Sequence, residues 1–231
     1  MIKVCLAIID NKRTWKDYFV ISLMDLIEYT RKSGVEVELM YIIANSVEMM
    51  RNCTVLNCIQ NDFTHYISLD SDMNYPKDTI IRLLEHNKDI VVPRLYRRNP
   101  PFTSVQAYKY KYPFWEDSNL LKEKNKGLVK VEVSGPPAML IKSGVLKTIY
   151  ENTGKVWFER EYSFNGQSKA DNFKKVSISE ISSDVKFCKL IKDYGFEIWV
   201  DTDFDIPHEC NDYFVINGNL ERKELKKQKD L

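Results

Sequence analysis

The sequence predicts an α/β fold in which helices cover both faces of a doubly wound, mainly parallel sheet. Apolar runs of strand length alternate with segments of helical periodicity as far as residue 92. Units that follow one another as strand, helix and strand form parallel sheets through right-handed crossovers. No internal repeat or linker interrupts the pattern, so we expect a single domain over residues 1–219 and a charged tail over 220–231.

The first half of the chain supplies the parallel strands of this prediction. Asn45, with Glu48 three residues later, resembles a capping box at the start of a helix. Gly34 suits the end of the first helix, and Pro76 suits the first turn of the third. The predicted strands are 3–9, 35–43, 65–69 and 89–92, and the predicted helices are 15–33, 45–61 and 76–86. Ligands of such sheets bind beyond the carboxyl ends of the strands, so we expect the site in the loops there.

The second half of the chain has a looser pattern. Ser182 or Ser183 is expected to cap the last helix, and Gly195 is expected to end it. The remaining predicted elements are strands over 128–133, 138–141 and 196–200 and a short helix over 143–150. These elements extend the predicted sheet without adding a second domain.

Composition favours a soluble globular protein. The chain has 231 residues, 44% of them hydrophobic, and its formal net charge is +1. So small a net charge argues against a nucleic acid partner without excluding one. No window approaches the roughly 20 apolar residues of a membrane span, and the first ten residues do not fit a signal peptide. We therefore expect a cytoplasmic protein without a membrane span, and the five cysteines, which lack CxxC spacing, are expected to be reduced.

The segment Asp70-Ser71-Asp72 ends the third predicted strand at the edge where ligands bind. Two carboxylates on one turn can hold a divalent cation that neutralises a diphosphate. Residues 201–203 and 203–205 have the same D-x-D spacing, so spacing does not choose between them. The position after a buried strand favours the first segment, and turn formation before a helix is the alternative interpretation.

Short motifs spread over most of residues 1–210 carry a resemblance to a known family. The motifs are Met50-Arg51-Asn52, residues 67–73 with Pro76, 89–92 with Tyr96, Ser134-Gly135 before 139–141, Trp157-Phe158, 184–188, 194–196, and Val200-Asp201 leading to His208. Their order and spacing resemble those of glycosyltransferases of the GT-A fold, near the glycosyltransferase family 2 group of bacteria and their viruses.

The resemblance implies a divalent metal cofactor, Mn²⁺ or Mg²⁺. In such enzymes the second aspartate of the D-x-D, here Asp72, binds the metal on the donor diphosphate. The first aspartate, here Asp70, approaches the ribose or the metal. A histidine after the last core strand often completes the metal shell, and His208 stands at that position, with a solvated loop histidine as the alternative. Oxygen ligands suit both ions, and imidazole is tolerated by Mn²⁺.

The resemblance also implies a general base. Asp184 matches the acidic residue at the head of the family's last helix, which lies beside the acceptor in inverting members. Relatives commonly have Glu-Asp where this chain has Ser183-Asp184, so a single carboxylate stands here. Asp184 is therefore expected to act as a base or as an acceptor-binding group. Its alternative role is that of an acid placed favourably at a helix N-terminus.

Other candidates follow from their positions in the predicted sheet. The nucleotide-binding candidates are Asp10, Asn11, Arg51, Asp70, Ser71 and Asp72. The substrate-binding candidates are Arg94, with Arg97 and Arg98 nearby, and Ser134, Gly135, Trp157 and Phe158. A strand-end turn is the alternative for Asp10 and Asn11, and a solvated surface position is the alternative for the arginines. Core packing is the alternative for the two aromatic residues.

The sequence thus predicts a metal-dependent glycosyltransferase that moves a sugar from a nucleoside diphosphate sugar, most simply a UDP-sugar, to a hydroxyl of a glycan or other biomolecule. The alternative is a catalytically silent nucleotide-sugar or glycan-binding module on the same scaffold. A nucleotidyltransferase is disfavoured because no glycine-rich loop with Lys or Arg follows the first strand. The polar segment 163–175 is expected to close over the donor as a lid, or to be an exposed loop without function.

Overall fold

The computed structural model describes residues 1–10, 14–100, 102–111, 114–154, 157–165, 177–210, 213–216 and 218–222. It confirms the predicted α/β class, with a seven-stranded, mainly parallel sheet at its centre. The candidate Asn11 and most of the predicted lid, residues 166–175, lie outside the described residues. In the part of the chain that is described, no helix is long and apolar enough to cross a membrane.

The helices and strands follow the sequence prediction closely in the first half of the chain. The helices are α1 (Asp17–Lys32), α2 (Val47–Gln60), α3 (Thr79–Glu85), α4 (Ser143–Thr153) and α5 (Ser183–Asp193). The strands are β1 (Lys3–Ile9), β2 (Glu36–Tyr41), β3 (His65–Asp70), β4 (Ile90–Arg94), β5 (Ala107–Lys111), β6 (Phe114–Leu120), β7 (Leu128–Val131), β8 (Leu140–Lys142), β9 (Glu161–Asn165), β10 (Ser177–Ile181), β11 (Ile198–Asp205), β12 (His208–Cys210), β13 (Tyr213–Ile216) and β14 (Asn219–Arg222).

The central sheet has the strand order β2-β1-β3-β8-β4-β11-β7. Strands β1, β2 and β3 pair in parallel, and β4 pairs in parallel with β11. Strand β8 is inserted between β3 and β4 and runs antiparallel to both, and β7 is antiparallel to β11. In the register of β1 with β3, Ile9 lies opposite Asp70, so both strands end at the same edge.

Two apolar layers, one on each face of the sheet, account for the continuous apolar run of β1. Val4, Leu6 and Ile8 pack in one layer with buried residues of α1 and α3. Cys5 and Ala7 pack in the other layer with buried residues of α2, α4 and α5. Because successive side chains of a strand point to opposite faces, a strand covered on both faces is apolar at every position.

Local hydrogen bonds correct two predicted helix starts. Ser46, rather than Asn45, is the N-cap of α2, and its hydroxyl accepts a hydrogen bond from the Met49 amide at 3.1 Å. The predicted third helix begins later than Pro76, because the Thr79 amide and hydroxyl both donate to the Pro76 carbonyl in a separate turn. Helix α3 therefore begins at Thr79.

The second half contains pairings that the sequence pattern did not predict. Strands β9 and β10 pair antiparallel, so residues 163–165, the start of the predicted lid, belong to a strand. Strands β12, β13 and β14 form a separate three-stranded antiparallel sheet. Strand β14 includes residues 220–222, which were predicted as the beginning of a charged tail.

Candidate active site

The candidate active site lies where the end of β3 meets β12. Asp70 is the last residue of β3, and the chain turns directly after it. Met73 forms an isolated antiparallel bridge with His208, and the Glu209 amide donates a hydrogen bond to the Asp72 carbonyl at 2.9 Å. These backbone contacts bring two segments that are far apart in the sequence to one edge of the sheet and place His208 beside Asp72.

Asp72 and His208 form a contact pair with a defined histidine orientation. His208 Nε2 lies 3.5 Å from Asp72 Oδ2, and His208 Nδ1 lies 2.8 Å from the carbonyl oxygen of Tyr96. Because a carbonyl can only accept, Nδ1 carries a proton and donates it, which leaves Nε2 facing the carboxylate. Arg98 Nη1 also donates to Asp72 Oδ2, at 3.1 Å. The Asp72 carboxylate is therefore held by two basic side chains.

These contacts shift the pKa values of both members of the pair. Burial would raise the pKa of Asp72, but hydrogen bonding to His208 and the charges of His208 and Arg98 outweigh burial and lower it. Burial would lower the pKa of His208, but the contacts with Asp72 and the Tyr96 carbonyl raise it. The pair therefore favours a carboxylate next to positive charge.

Arg51 of α2 joins two carboxylates from different parts of the fold. Its Nη2 donates to Asp70 Oδ1 at 3.3 Å, and its Nη1 donates to Asp184 Oδ1 at 3.0 Å. The guanidinium is buried and lies over the Phe158 ring, 5.6 Å from the centroid. Its Nε has no hydrogen-bond partner among the described residues. Burial would lower the pKa of Arg51, but the charges of the two aspartates raise it, so the guanidinium stays charged.

Asp70 is a buried carboxylate that lies near the charges of Arg51, Asp72, Asp184 and His208. Its pKa is raised to about 6, mainly by burial, with further contributions from the charges of Asp72 and Asp184, whereas Arg51 and His208 oppose the shift. Three carboxylates thus share one edge of the sheet. Arg51, Arg98 and His208 share the same edge and offset much of this negative charge.

Asp184 lies in the first turn of α5, whose N-cap is Ser182. Besides Arg51, Asp184 Oδ1 contacts the Ser183 hydroxyl at 3.3 Å, and this hydroxyl also lies 3.2 Å from Glu48 Oε1. A hydroxyl has one proton to donate, so Ser183 can serve one of these carboxylates at a time. The Asp184 side chain is 34% exposed and lines a cleft, so its carboxylate is accessible.

Asp70, Asp184 and Arg51 line a cleft of about 270 Å³. Ser134 and Gly135, which were predicted to bind substrate, line the same cleft. The apolar part of the lining includes Leu95, Val105, Val133, Pro136 and Pro137. A Cβ atom on residue 135 would lie 3.3 Å from Val105 Cγ2, so glycine allows the backbone there to approach Val105 closely.

Several predicted candidates lie away from this cleft. Arg94 is buried, and its guanidinium pairs with both carboxylate oxygens of Asp205, at 2.5 and 2.9 Å. Trp157 and Phe158 are almost fully buried and do not line the cleft, although Phe158 supports Arg51 from behind. Asp10 is buried directly after β1. The structure thus brings Asp70, Arg51, Asp184 and His208 together at the cleft. Arg94, Trp157, Phe158 and Asp10 do not line it.

The other D-x-D segments have structural partners. Asp201 Oδ2 lies 2.8 Å from Arg82 Nε and 3.0 Å from His86 Nε2, and the carboxylate is buried. Asp203 Oδ1 accepts a hydrogen bond from the Gly127 amide at 3.1 Å. The contacts of Asp201 connect β11 with α3, at a distance from the residues that line the cleft.

Two contributions to the site had no clear signal in the sequence. The Tyr96 carbonyl orients His208, but every residue has a backbone carbonyl, so the sequence does not indicate this contact. Glu48 was interpreted as a helix-capping residue, yet its carboxylate contacts Ser183 beside Asp184. Charge at the head of a helix is common, so only the three-dimensional packing of α2 against α5 distinguishes this glutamate.

A match to a family model identifies the family to which the chain belongs. The family model Anp1 matches residues 42–161, slightly more than half of the sequence. The chain belongs to the Anp1 family. The match to Anp1 includes Arg51, the Asp70-Ser71-Asp72 segment and the Ser134-Gly135 turn. No curated protein sequence matches the chain significantly.

Several solved structures are similar to this Anp1-family chain, and one with a TM-score above 0.5 supports its fold. The crystal structure of A197 from STIV is 14% identical and covers 100% of this chain and 98% of its own, with a TM-score of 0.55. A Drosophila β1,4-galactosyltransferase 7 mutant in complex with manganese, UDP-Gal and xylobiose is 11% identical, with 99% and 78% coverage and a TM-score of 0.44. S. aureus TarS is 14% identical, with 89% and 59% coverage and a TM-score of 0.45. The predicted resemblance to GT-A glycosyltransferases is confirmed, and at these identities the likeness concerns the fold.

Proposed function

We propose that the protein is a metal-dependent glycosyltransferase that moves a sugar from a nucleoside diphosphate sugar to an acceptor hydroxyl. The observation that carries the proposal is the gathering of Asp70, His208 and Asp184 around one cleft, with Asp72 in contact with His208 and with Arg51 between Asp70 and Asp184. The choice of a UDP-sugar rests on the resemblance of the motifs to family 2 enzymes.

The donor atoms at Asp72 and His208 fit Mn²⁺ or Mg²⁺. One carboxylate and one imidazole, whose other nitrogen is fixed by a backbone carbonyl, suit a metal that also binds diphosphate oxygens and water. Among the described residues no three His, Cys, Asp or Glu side chains form a complete metal-binding cluster. When bound, such a cation would offset the charge that builds up on the departing nucleoside diphosphate.

Arg51 and Asp184 would act on the acceptor side of the cleft. Arg51 keeps Asp184 close to Asp70 and neutralises part of their combined charge. Asp184 would accept the proton of the attacking hydroxyl, since its carboxylate is partly exposed to the cleft. The apolar residues that line the cleft would exclude water that otherwise competes with the acceptor.

A silent binding module is the second candidate function. It is favoured by the contact of Arg98 with Asp72, because a guanidinium already neutralises the carboxylate that would bind the metal. A protein that binds nucleotide sugars without transferring them would keep the cleft and have no need of the base at Asp184.

Release of nucleoside diphosphate from a panel of UDP-, GDP-, CDP- and dTDP-sugars, with Mn²⁺ or with EDTA, tests the proposal. We expect turnover with at least one donor that requires Mn²⁺ and is lost in Asp72→Asn. Asp203→Asn, which alters the neighbouring D-x-D segment, is the matched control and should retain turnover. Binding of a nucleotide sugar without any release would instead support the silent module.

A further inference from the structure

A second cavity lies on the outer side of α2, and we call it the outer groove. Met49 and Leu56 of α2, Tyr150 of α4, and Trp157 and Tyr162 of the following segment form its walls. Its volume is about 650 Å³, which is within the usual range of ligand sites. None of its described lining residues lines the cleft that contains Asp70 and Asp184.

Two exposed tyrosines contribute to the accessible surface of the outer groove. Tyr150 and Trp157 are stacked, with ring centroids 5.5 Å apart and planes inclined by 27°. Trp157 is buried beneath, whereas Tyr150 is 46% and Tyr162 is 58% exposed. Each exposed tyrosine combines an apolar ring face with a hydroxyl at its edge. Such surfaces pack against the C–H faces of sugar rings while the hydroxyl serves as a hydrogen-bonding partner.

The floor of the outer groove is held rigidly by α2. Asn52 Nδ2 donates to the Phe158 carbonyl at 2.7 Å, and Asn52 Oδ1 accepts from the Trp157 and Phe158 amides at 3.1 and 2.9 Å. The Trp157 indole N–H donates to the Leu146 carbonyl at 3.0 Å. Because these groups are already ordered, the side chains of the floor would lose little conformational entropy when a ligand binds.

The charged groups at the rim of the groove are paired with one another. Arg160 contacts Glu48 and Glu180, at 2.5 Å each. Lys186 contacts Glu159 at 2.8 Å and Glu161 at 3.3 Å. The two cations are outnumbered by four carboxylates, so the rim disfavours an anionic ligand and is compatible with an uncharged, polar occupant.

The outer groove is connected to the cleft through α2 and α5. Glu48, which lines the groove, contacts the Ser183 hydroxyl, and this hydroxyl contacts Asp184 in the cleft. Phe158, which also lines the groove, lies beneath the guanidinium of Arg51. A single layer of side chains therefore separates the two cavities.

We propose that the outer groove binds the distal sugar units of an uncharged oligosaccharide acceptor. The acceptor role rests on the proposed glycosyltransferase function, whereas the binding of an uncharged oligosaccharide rests on the groove alone. Tyr162 and Tyr150 supply the stacking faces, and the paired charges of the rim supply hydrogen bonds to hydroxyl groups. The reacting end of the same acceptor passes over the side chains that separate the groove from the cleft and reaches Asp184.

The test is calorimetric titration of the whole protein, in EDTA and without nucleotide, with linear gluco-, manno- and galacto-oligosaccharides of one to five units. We expect at least one series to bind, with affinity that rises with length. Tyr162→Ala and Tyr150→Ala should each weaken binding by about 2- to 10-fold, and Tyr162→Phe should retain it. Tyr213→Ala removes a tyrosine of similar exposure, 42%, outside the groove and should have no effect.

Failure of the inference is distinguishable from failure of the proposed function. The inference is overturned if no oligosaccharide of the panel binds, if Tyr162→Ala and Tyr150→Ala leave binding unchanged, or if the groove instead binds phosphatidylcholine vesicles in a Tyr162-dependent manner. Metal-dependent UDP binding should be equal in wild type and both alanine variants. Its absence in wild type, with oligosaccharide binding intact, would overturn the glycosyltransferase proposal and leave the binding site standing.

Discussion

Arg51 Nη1 lies 3.0 Å from Asp184 Oδ1, although the two residues are 133 positions apart in the sequence. The same guanidinium contacts Asp70 at the end of β3. A buried arginine with a carboxylate on each side joins the predicted nucleotide side of the cleft to the predicted acceptor side. Its removal should therefore affect both the stability of the fold and the arrangement of the site.

We predict that Arg51→Gln lowers the free energy of unfolding by about 2 kcal/mol, because it leaves two partly buried carboxylates without their shared cation. Arg51→Lys retains the charge but not the two-sided geometry, so its loss should be smaller. Urea denaturation of the three proteins measures the difference. Equal stability of Arg51→Gln and wild type would show that the pairing contributes nothing to the fold.

Asp72→Asn is predicted to lower turnover about 100-fold or more while leaving the melting temperature nearly unchanged, because the lost contribution is stabilisation of charge in the transition state. His208→Ala should act in the same direction with a smaller effect. Steady-state kinetics and thermal denaturation together measure this. If Asp203→Asn were damaging and Asp72→Asn harmless, the wrong D-x-D segment would have been assigned.

Asp184→Asn distinguishes a general base from a structural acid at a helix N-terminus. An asparagine retains an oxygen that can accept from Arg51 but cannot take up the proton of the acceptor hydroxyl. We expect turnover to fall by about 100-fold or more, with donor affinity unchanged in calorimetry. Unchanged turnover would contradict the assignment of Asp184 as the base.

The buried carboxylate of Asp201 should contribute to stability in a pH-dependent manner. Burial would raise its pKa, but hydrogen bonds from Arg82 and His86 outweigh burial and lower it below the ordinary value of 3.8. A carboxyl with a depressed folded pKa stabilises above its unfolded pKa and loses that contribution as the pH falls through the folded value. Asp201→Asn should thus cost about 2 kcal/mol at pH 7, and the difference from wild type should shrink below about pH 4. Urea denaturation across this range measures the difference, and a pH-independent difference would contradict the account.

The sequence predicted the parallel half of the fold because the signals there are local. Strand β1 is apolar on both faces, and the alternation with α1, β2, α2 and β3 follows from periodicity alone. The insertion of β8 between β3 and β4 was not predictable in this way. Its three residues pair with partners far away in the sequence, and short antiparallel strands leave little periodic pattern.

The sequence indicated candidate site residues where a carboxylate or another polar residue stands at the end of a predicted strand. Asp70 ends β3, Asp72 lies two residues later, and Ser134 and Gly135 line the cleft. Arg94 has the same kind of position but pairs with Asp205, because the register shift of β11 brings this carboxylate beside it. Competition between partners of opposite charge is decided by packing, which a single sequence does not show.

Calorimetric titration of the protein with UDP, once with Mn²⁺ and once with EDTA, tests the central claim most directly. Arg51, Arg98 and His208 offset much of the charge of Asp70, Asp72 and Asp184, so a cation held by Asp72 and His208 would add the positive charge that attracts a diphosphate to this edge. We predict that UDP binds at least about 10-fold more tightly with Mn²⁺, and that Asp72→Asn abolishes this difference. Equal affinity with and without the metal in the wild-type protein would contradict the proposed metal-dependent donor site.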